Sequence, residues 1–107
     1  MFTVIKNPTF RTVATINVPT DEGVVAQTLS VRFRVGADED DVADSYGQPF
    51  LRGVILTLDE LVDEAGAPLA YTDELRDQLL ARPFVRMGLL RAYFDALAGV
   101  KAAARGN

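Results

Sequence analysis

The 107-residue chain contains no cysteine, no histidine and no tryptophan, and only two methionines. Without cysteine there is no disulfide and no thiol nucleophile; without histidine as well, the usual zinc ligand sets and the imidazole general base are missing. Most common hydrolase and metalloenzyme mechanisms lose their principal residue. Long apolar runs are also lacking. Val54-Ile55-Leu56 and Leu89-Leu90 are interrupted within a few residues, far short of the ~20 apolar residues that span a bilayer. Basic charge is in deficit, with 11 Lys and Arg against 15 Asp and Glu, a net charge of -4 and a pI near 4.7. The overall field therefore offers nothing to a phosphate backbone, and neither a nucleic-acid nor a membrane partner is expected. The opening Met1-Phe-Thr-Val-Ile-Lys has no basic stretch leading into an apolar run and small-residue cleavage site. It does not read as a secretory leader, and a cytoplasmic location is the expectation.

What is present suits one small core. Apolar residues make up 49% and charged residues 24% of the chain, an ordinary globular balance for a single domain over residues 1–107. Charge is divided by segment. Residues 1–37 hold four basic and two acidic side chains, residues 38–81 two and twelve, and residues 82–107 five and one. Such a division suits self-association or a protein partner, although solvated loops and helix faces would produce it as well.

Residues 1–36 read as a β-hairpin region. Phe10, Thr12, Ala14, Ile16 and Val18 alternate with a more polar set, and Val25, Gln27, Leu29, Val31, Phe33 and Val35 do the same. Between them Pro19-Thr-Asp-Glu-Gly23 supplies turn chemistry. A two-stranded hairpin is marginal alone, so its apolar face needs a third strand, helices or another subunit, and residues 2–5 are the candidate for a further strand. Residues 37–107 read as helical. The acidic residues 37–44 could begin a helix. Phe50, Leu51, Val54, Ile55 and Leu58 predict a short helix over residues 49–58, with Leu61 and Val62 tucking back onto the core. Ala65-Gly66-Ala67-Pro68 predicts a turn. Thr72 is placed to cap a helix over residues 73–81 that presents Leu75, Leu79 and Leu80 on one face. Pro83 then starts the most strongly periodic segment, a helix to about residue 100. The fold class is α+β: an antiparallel hairpin or small sheet followed by three to four helices.

These features fall in a recognisable order. Asn7-Pro8-Thr9-Phe10 leads into the hairpin, and Gly53-Val54 precedes Val62-Asp63-Glu64-Ala65-Gly66-Ala67-Pro68-Leu69. Tyr71-Thr72 opens a helix carrying Leu79-Leu80, then come Pro83-Phe84-Val85-Arg86, Ala92-Tyr93-Phe94 and the ending Arg105-Gly106-Asn107. In this order the chain resembles the tail assembly chaperones of long-tailed bacteriophages and prophages over nearly its whole length. It departs from their pattern in lacking the tryptophan often found after the central helix, where Thr57 and Leu58 stand, and in the acidic residues 38–44. The resemblance implies a non-enzymatic role with no cofactor: binding the tape measure protein in the cytoplasm of the bacterial host, keeping it soluble, and giving way as major tail tube subunits polymerise. Such a protein is absent from the mature virion. In the family a ribosomal frameshift often appends a second domain, and this chain would correspond to the shorter product.

A chaperone of this kind needs accessible apolar surface. On the last helix Phe84, Met87, Leu90, Tyr93, Phe94 and Leu97 form a stripe wider than one intramolecular seam, and Met87 is an adaptable side chain. Arg82, Arg86 and Arg91 lie along it and could pair with carboxylates of a neighbouring copy or of the tape measure protein. The hairpin's edge strand is a second candidate surface. The alternative is a stripe that is wholly internal with its arginines solvated.

Other classes find less support. An enzyme would have to work with carboxylates alone. Asp59 with Asp63, or Glu60 with Glu64, are four apart and would share a helix face, but such pairs are common on acidic helices. Residues 38–44 lack the alternating ligands and central glycine of a calcium loop, so no metal is expected. A basic recognition surface could come only from Arg82, Arg86, Arg91, Lys101 and Arg105. The runner-up is a small structural tail protein, a tube or terminator-like ring component.

Overall fold

A computed structural model of the protein describes residues 1–36 and 47–99. Strand β1 (Thr9–Thr20) and strand β2 (Gly23–Arg34) form the hairpin expected from the alternation. Their antiparallel register runs from Thr9 opposite Arg34 to Thr20 opposite Gly23. Gly23 takes a φ of 116°, a region closed to most side chains. Of the expected inward faces, Ala14, Ile16, Leu29, Val31 and Phe33 are buried, whereas Val25 and Gln27, nearer the turn, are exposed.

Helix α1 (Gln48–Val54) begins with a proline in its first turn and buries Phe50, Leu51 and Val54. It passes without a loop into strand β3 (Ile55–Asp59). The helix predicted over residues 49–58 is therefore half helix and half strand. The spacing of Phe50, Leu51, Val54, Ile55 and Leu58 fits a helix, but Ile55-Leu56-Thr57-Leu58 also alternates and carries two β-branched residues. Pairing with β2's free edge decides between them. β3 runs antiparallel to β2, Ser30 opposite Asp59 and Phe33 opposite Ile55, with an irregularity at Arg32/Phe33 that leaves Leu56 as the extra residue. The third strand thus comes from β3. Residues 2–5 form none.

Beyond β3, Asp63 Oδ1 accepts from the amides of Ala65 and Ala67, both at 2.9 Å. Gly66 adopts a φ of 86°, and Leu69 N donates to Leu61 O. This is the expected Gly-Ala-Pro turn. Leu61 packs against the core as expected, whereas Val62 is exposed. Helix α2 (Asp73–Leu80) is capped by Thr72, whose hydroxyl accepts from Leu75 N at 3.0 Å. Helix α3 (Pro83–Leu97) ends earlier than expected, because Gly99, with a φ of 78°, turns the chain out of the helix. The expectations for residues 37–44 and for Val100 lie outside the described residues.

The sheet order is β1-β2-β3, and the core lies on one face of it. Leu58 of β3, Leu80 of α2 and Val85, Leu89 and Tyr93 of α3 join the inward strand residues in one cluster. The far face is polar, as an antiparallel sheet allows. There Arg11 donates to Ser30 Oγ at 3.1 Å and pairs with Asp59 at 2.6 Å. The fold is α+β, a small sheet backed by three helices among the described residues.

Candidate functional site on the last helix

The close approach of α3 to the sheet depends on Gly88. A Cβ at that position would lie 2.5 Å from Thr15 O and 2.6 Å from Ile16 Cδ1, so a hydrogen there lets the helix backbone settle against β1. Gly88 fixes which arc of α3 faces inward: Val85, Gly88, Leu89 and Tyr93 are buried. Met87, Leu90, Phe94 and Leu97, at spacings of three, four and three, fall on the arc away from Gly88.

The nine residues singled out in the sequence therefore separate. Met87 is 63% exposed and Leu97 48%. Phe94 is 38% exposed and stacks on Phe50 at 6.1 Å between ring centroids. Leu90 is half-buried and packs against the core. Arg91 is exposed and lines a shallow notch of about 120 Å³ with Met87, Phe84 and β1 residues Thr15 and Asn17.

Two members of the set serve the fold instead. Tyr93 is 3% exposed. Its ring meets Phe33, Phe50 and Phe94 edge-on at 5.1 to 5.2 Å, and its hydroxyl accepts from Gly36 N at 3.0 Å. Arg86 is half-buried and donates to Leu80 O at 2.7 Å. Gln48 Nε2 reaches the same carbonyl at 2.8 Å, so the C-terminal end of α2 is held by side chains from both α1 and α3. Arg86 is a strut between helices.

Arg82 and Phe84 line a larger groove that the sequence did not disclose. About 540 Å³ in volume, it lies between the inward face of the distal hairpin, the chain after β3 and the α2–α3 junction, with Ile16, Val18, Leu29 and Leu79 among its walls. Glu60, Asp63, Glu64 and Arg82 are among its charged lining residues. Val18 and Leu79 are only partly buried. No signal in the sequence separates a half-covered apolar position from a covered one. The carboxylate pairs share no helix face: Asp59 ends β3, Glu60 has a φ of 66°, and Asp63 caps the turn.

A second electrostatic cluster ties α1 to α2. Asp77 accepts from Arg76 Nε at 3.0 Å and from Arg52 Nε at 3.2 Å. The hydrogen bond from Arg76 holds the Asp77 carboxyl below its ordinary pKa, with Arg52 adding to the effect. Burial works against the charge of Arg76, but Asp77, Tyr71 and Asp73 outweigh it and its pKa is raised. Burial pushes the nearby Tyr71 hydroxyl up, with Arg76 opposing. Among the described residues no group of three metal-ligating side chains comes together, and no helix is long and apolar enough to cross a membrane. No known protein family matches this chain, and neither does any curated protein or solved structure.

Proposed function

We propose that this chain is a tail assembly chaperone of a long-tailed bacteriophage or prophage. It acts in the host cytoplasm, where it holds the tape measure protein in solution until major tail tube subunits replace it, and it is left out of the finished virion. The observation that carries the reading is the outer arc of α3, where Met87 at 63% and Leu97 at 48% exposure stand near the exposed Arg91. A helical partner with apolar residues at spacings of three and four, and carboxylates at its flanks, is complementary to this arc. The order of motifs from Asn7-Pro8 to the basic ending supports the same reading.

Co-expression with the tape measure protein of the same gene cluster tests it. The expected result is co-purification and a soluble tape measure protein, both lost in the double variant Met87→Glu/Leu97→Glu. A tape measure protein that stays insoluble and unbound beside the unaltered chain overturns the proposal. The second reading, a small structural tail component such as a tube or terminator-like ring subunit, is favoured by the outer edge of β3, which pairs with no strand among the described residues. It predicts stoichiometric amounts of the chain in purified virions, where a chaperone is missing.

A further inference from the structure

Upstream of β1 the chain carries strand chemistry without a strand. Phe2, Thr3, Val4 and Ile5 are all good strand formers. Yet residues 1–5 have no secondary structure, and Phe2, Val4 and Ile5 are 89%, 83% and 64% exposed. The segment parts from the fold at Pro8, whose carbonyl accepts from Val35 N at 3.0 Å. A cluster of apolar side chains left in water marks an interaction surface.

The sheet offers two outer edges, β1 and β3. That of β1 is shielded at its middle, where the backbone of α3 at Gly88 lies against Thr15 O. That of β3 is paired with no strand among the described residues, and the bulged Leu56 beside it is 39% exposed. An open edge of this kind is a template for another strand. β3 is five residues long, enough to pair with the four residues 2–5.

The segment does not reach this edge within its own molecule. The outer side of β3 lies three strand spacings from β1, roughly 14 Å. The chain between Thr9 and Ile5 spans at most about 14 Å fully extended, which leaves no slack to pass β2 and turn into register. We infer that residues 2–5 add as a strand to the outer edge of β3 in a second copy of this chain, the two copies exchanging segments reciprocally. The exchange covers Phe2, Val4, Ile5 and Leu56 in both copies at once. It goes beyond the proposed function and stands or falls apart from it.

Light scattering on size-exclusion fractions, over a concentration series of the tag-free chain, reads the exchange. The expected species is a dimer of twice 11.6 kDa. Val4→Asp on the segment and Leu56→Lys on the edge each weaken association by at least about tenfold, with circular dichroism unchanged because both side chains are exposed. An equimolar mixture of the two variants regains part of the association, since one sound segment then meets one sound edge. A wild-type chain that stays monomeric throughout overturns the inference, as does a Val4→Asp chain that dimerises like the wild type. The Val4→Asp arm decides the matter even where Leu56→Lys disturbs the sheet.

Discussion

Gly88 reverses the usual effect of glycine in a helix. Replacing a mid-helix glycine by alanine ordinarily stabilises by about 1 kcal/mol. Here the added methyl meets a backbone oxygen at 2.5 Å, and backbone cannot rotate aside. Gly88→Ala is therefore expected to destabilise by about 1–3 kcal/mol, seen as a lower midpoint in urea unfolding; an unchanged or higher midpoint would contradict the packing of α3 on β1. Thr72→Ala is expected to cost about 1 kcal/mol through loss of the α2 cap, in the same measurement. Thr72 was legible in the sequence because capping is local: a hydroxyl three residues before a free amide is enough. Gly88 was not, because its reason lies in Thr15, 73 positions earlier in the chain. The bonds of Arg86 and Tyr93 were hidden for the same cause, since their partners are the Leu80 carbonyl and the Gly36 amide.

At the scale of elements, the two strands of the hairpin and the start of α3 could be read from periodicity, and β3 could not. Alternation over twelve residues has one interpretation, whereas five residues after a helix carry too few positions to separate a period of two from one of 3.6. The two arcs of α3 can be told apart by experiment. Leu89 is fully buried, and Leu89→Ala is expected to cost about 2–5 kcal/mol, whereas Met87→Ala is expected to stay within about 0.5 kcal/mol and, on the proposed function, to weaken capture of the tape measure protein instead. A comparable stability loss at both positions would refute the assigned orientation. The tie between α1 and α2 adds a dependence on pH. The folded pKa of Asp77 lies below the unfolded one, so in acid the unfolded chain binds more protons. The stabilisation is present above the ordinary carboxylate value of about 3.9 and is lost as pH falls through the folded value. The stability gap between wild type and Asp77→Asn is expected to close over that interval, and a constant gap would rule out the coupling.

For the described residues as a whole, apolar surface is divided between a closed core on one face of the sheet and uncovered places that include the outer arc of α3, the groove beside Arg82 and Phe84, and the segment before Pro8. A chain of this size covers a limited share of its surface with its own elements, and what remains uncovered is where the proposed partners would act. The direct passage from α1 into β3 bears on how such partners are felt inside. Ile55 is at once the residue closing the helix, its amide donating to Leu51 O, and the first residue of the strand. With no loop to absorb a rotation, α1 cannot unwind without pulling β3 out of line, nor β3 peel away without unwinding α1. The two are expected to open as one unit in hydrogen exchange, with matched protection at Val54 and Thr57. A second strand laid on β3 would then slow exchange throughout α1 as well, making that helix a reporter of events on the opposite side of the sheet's edge.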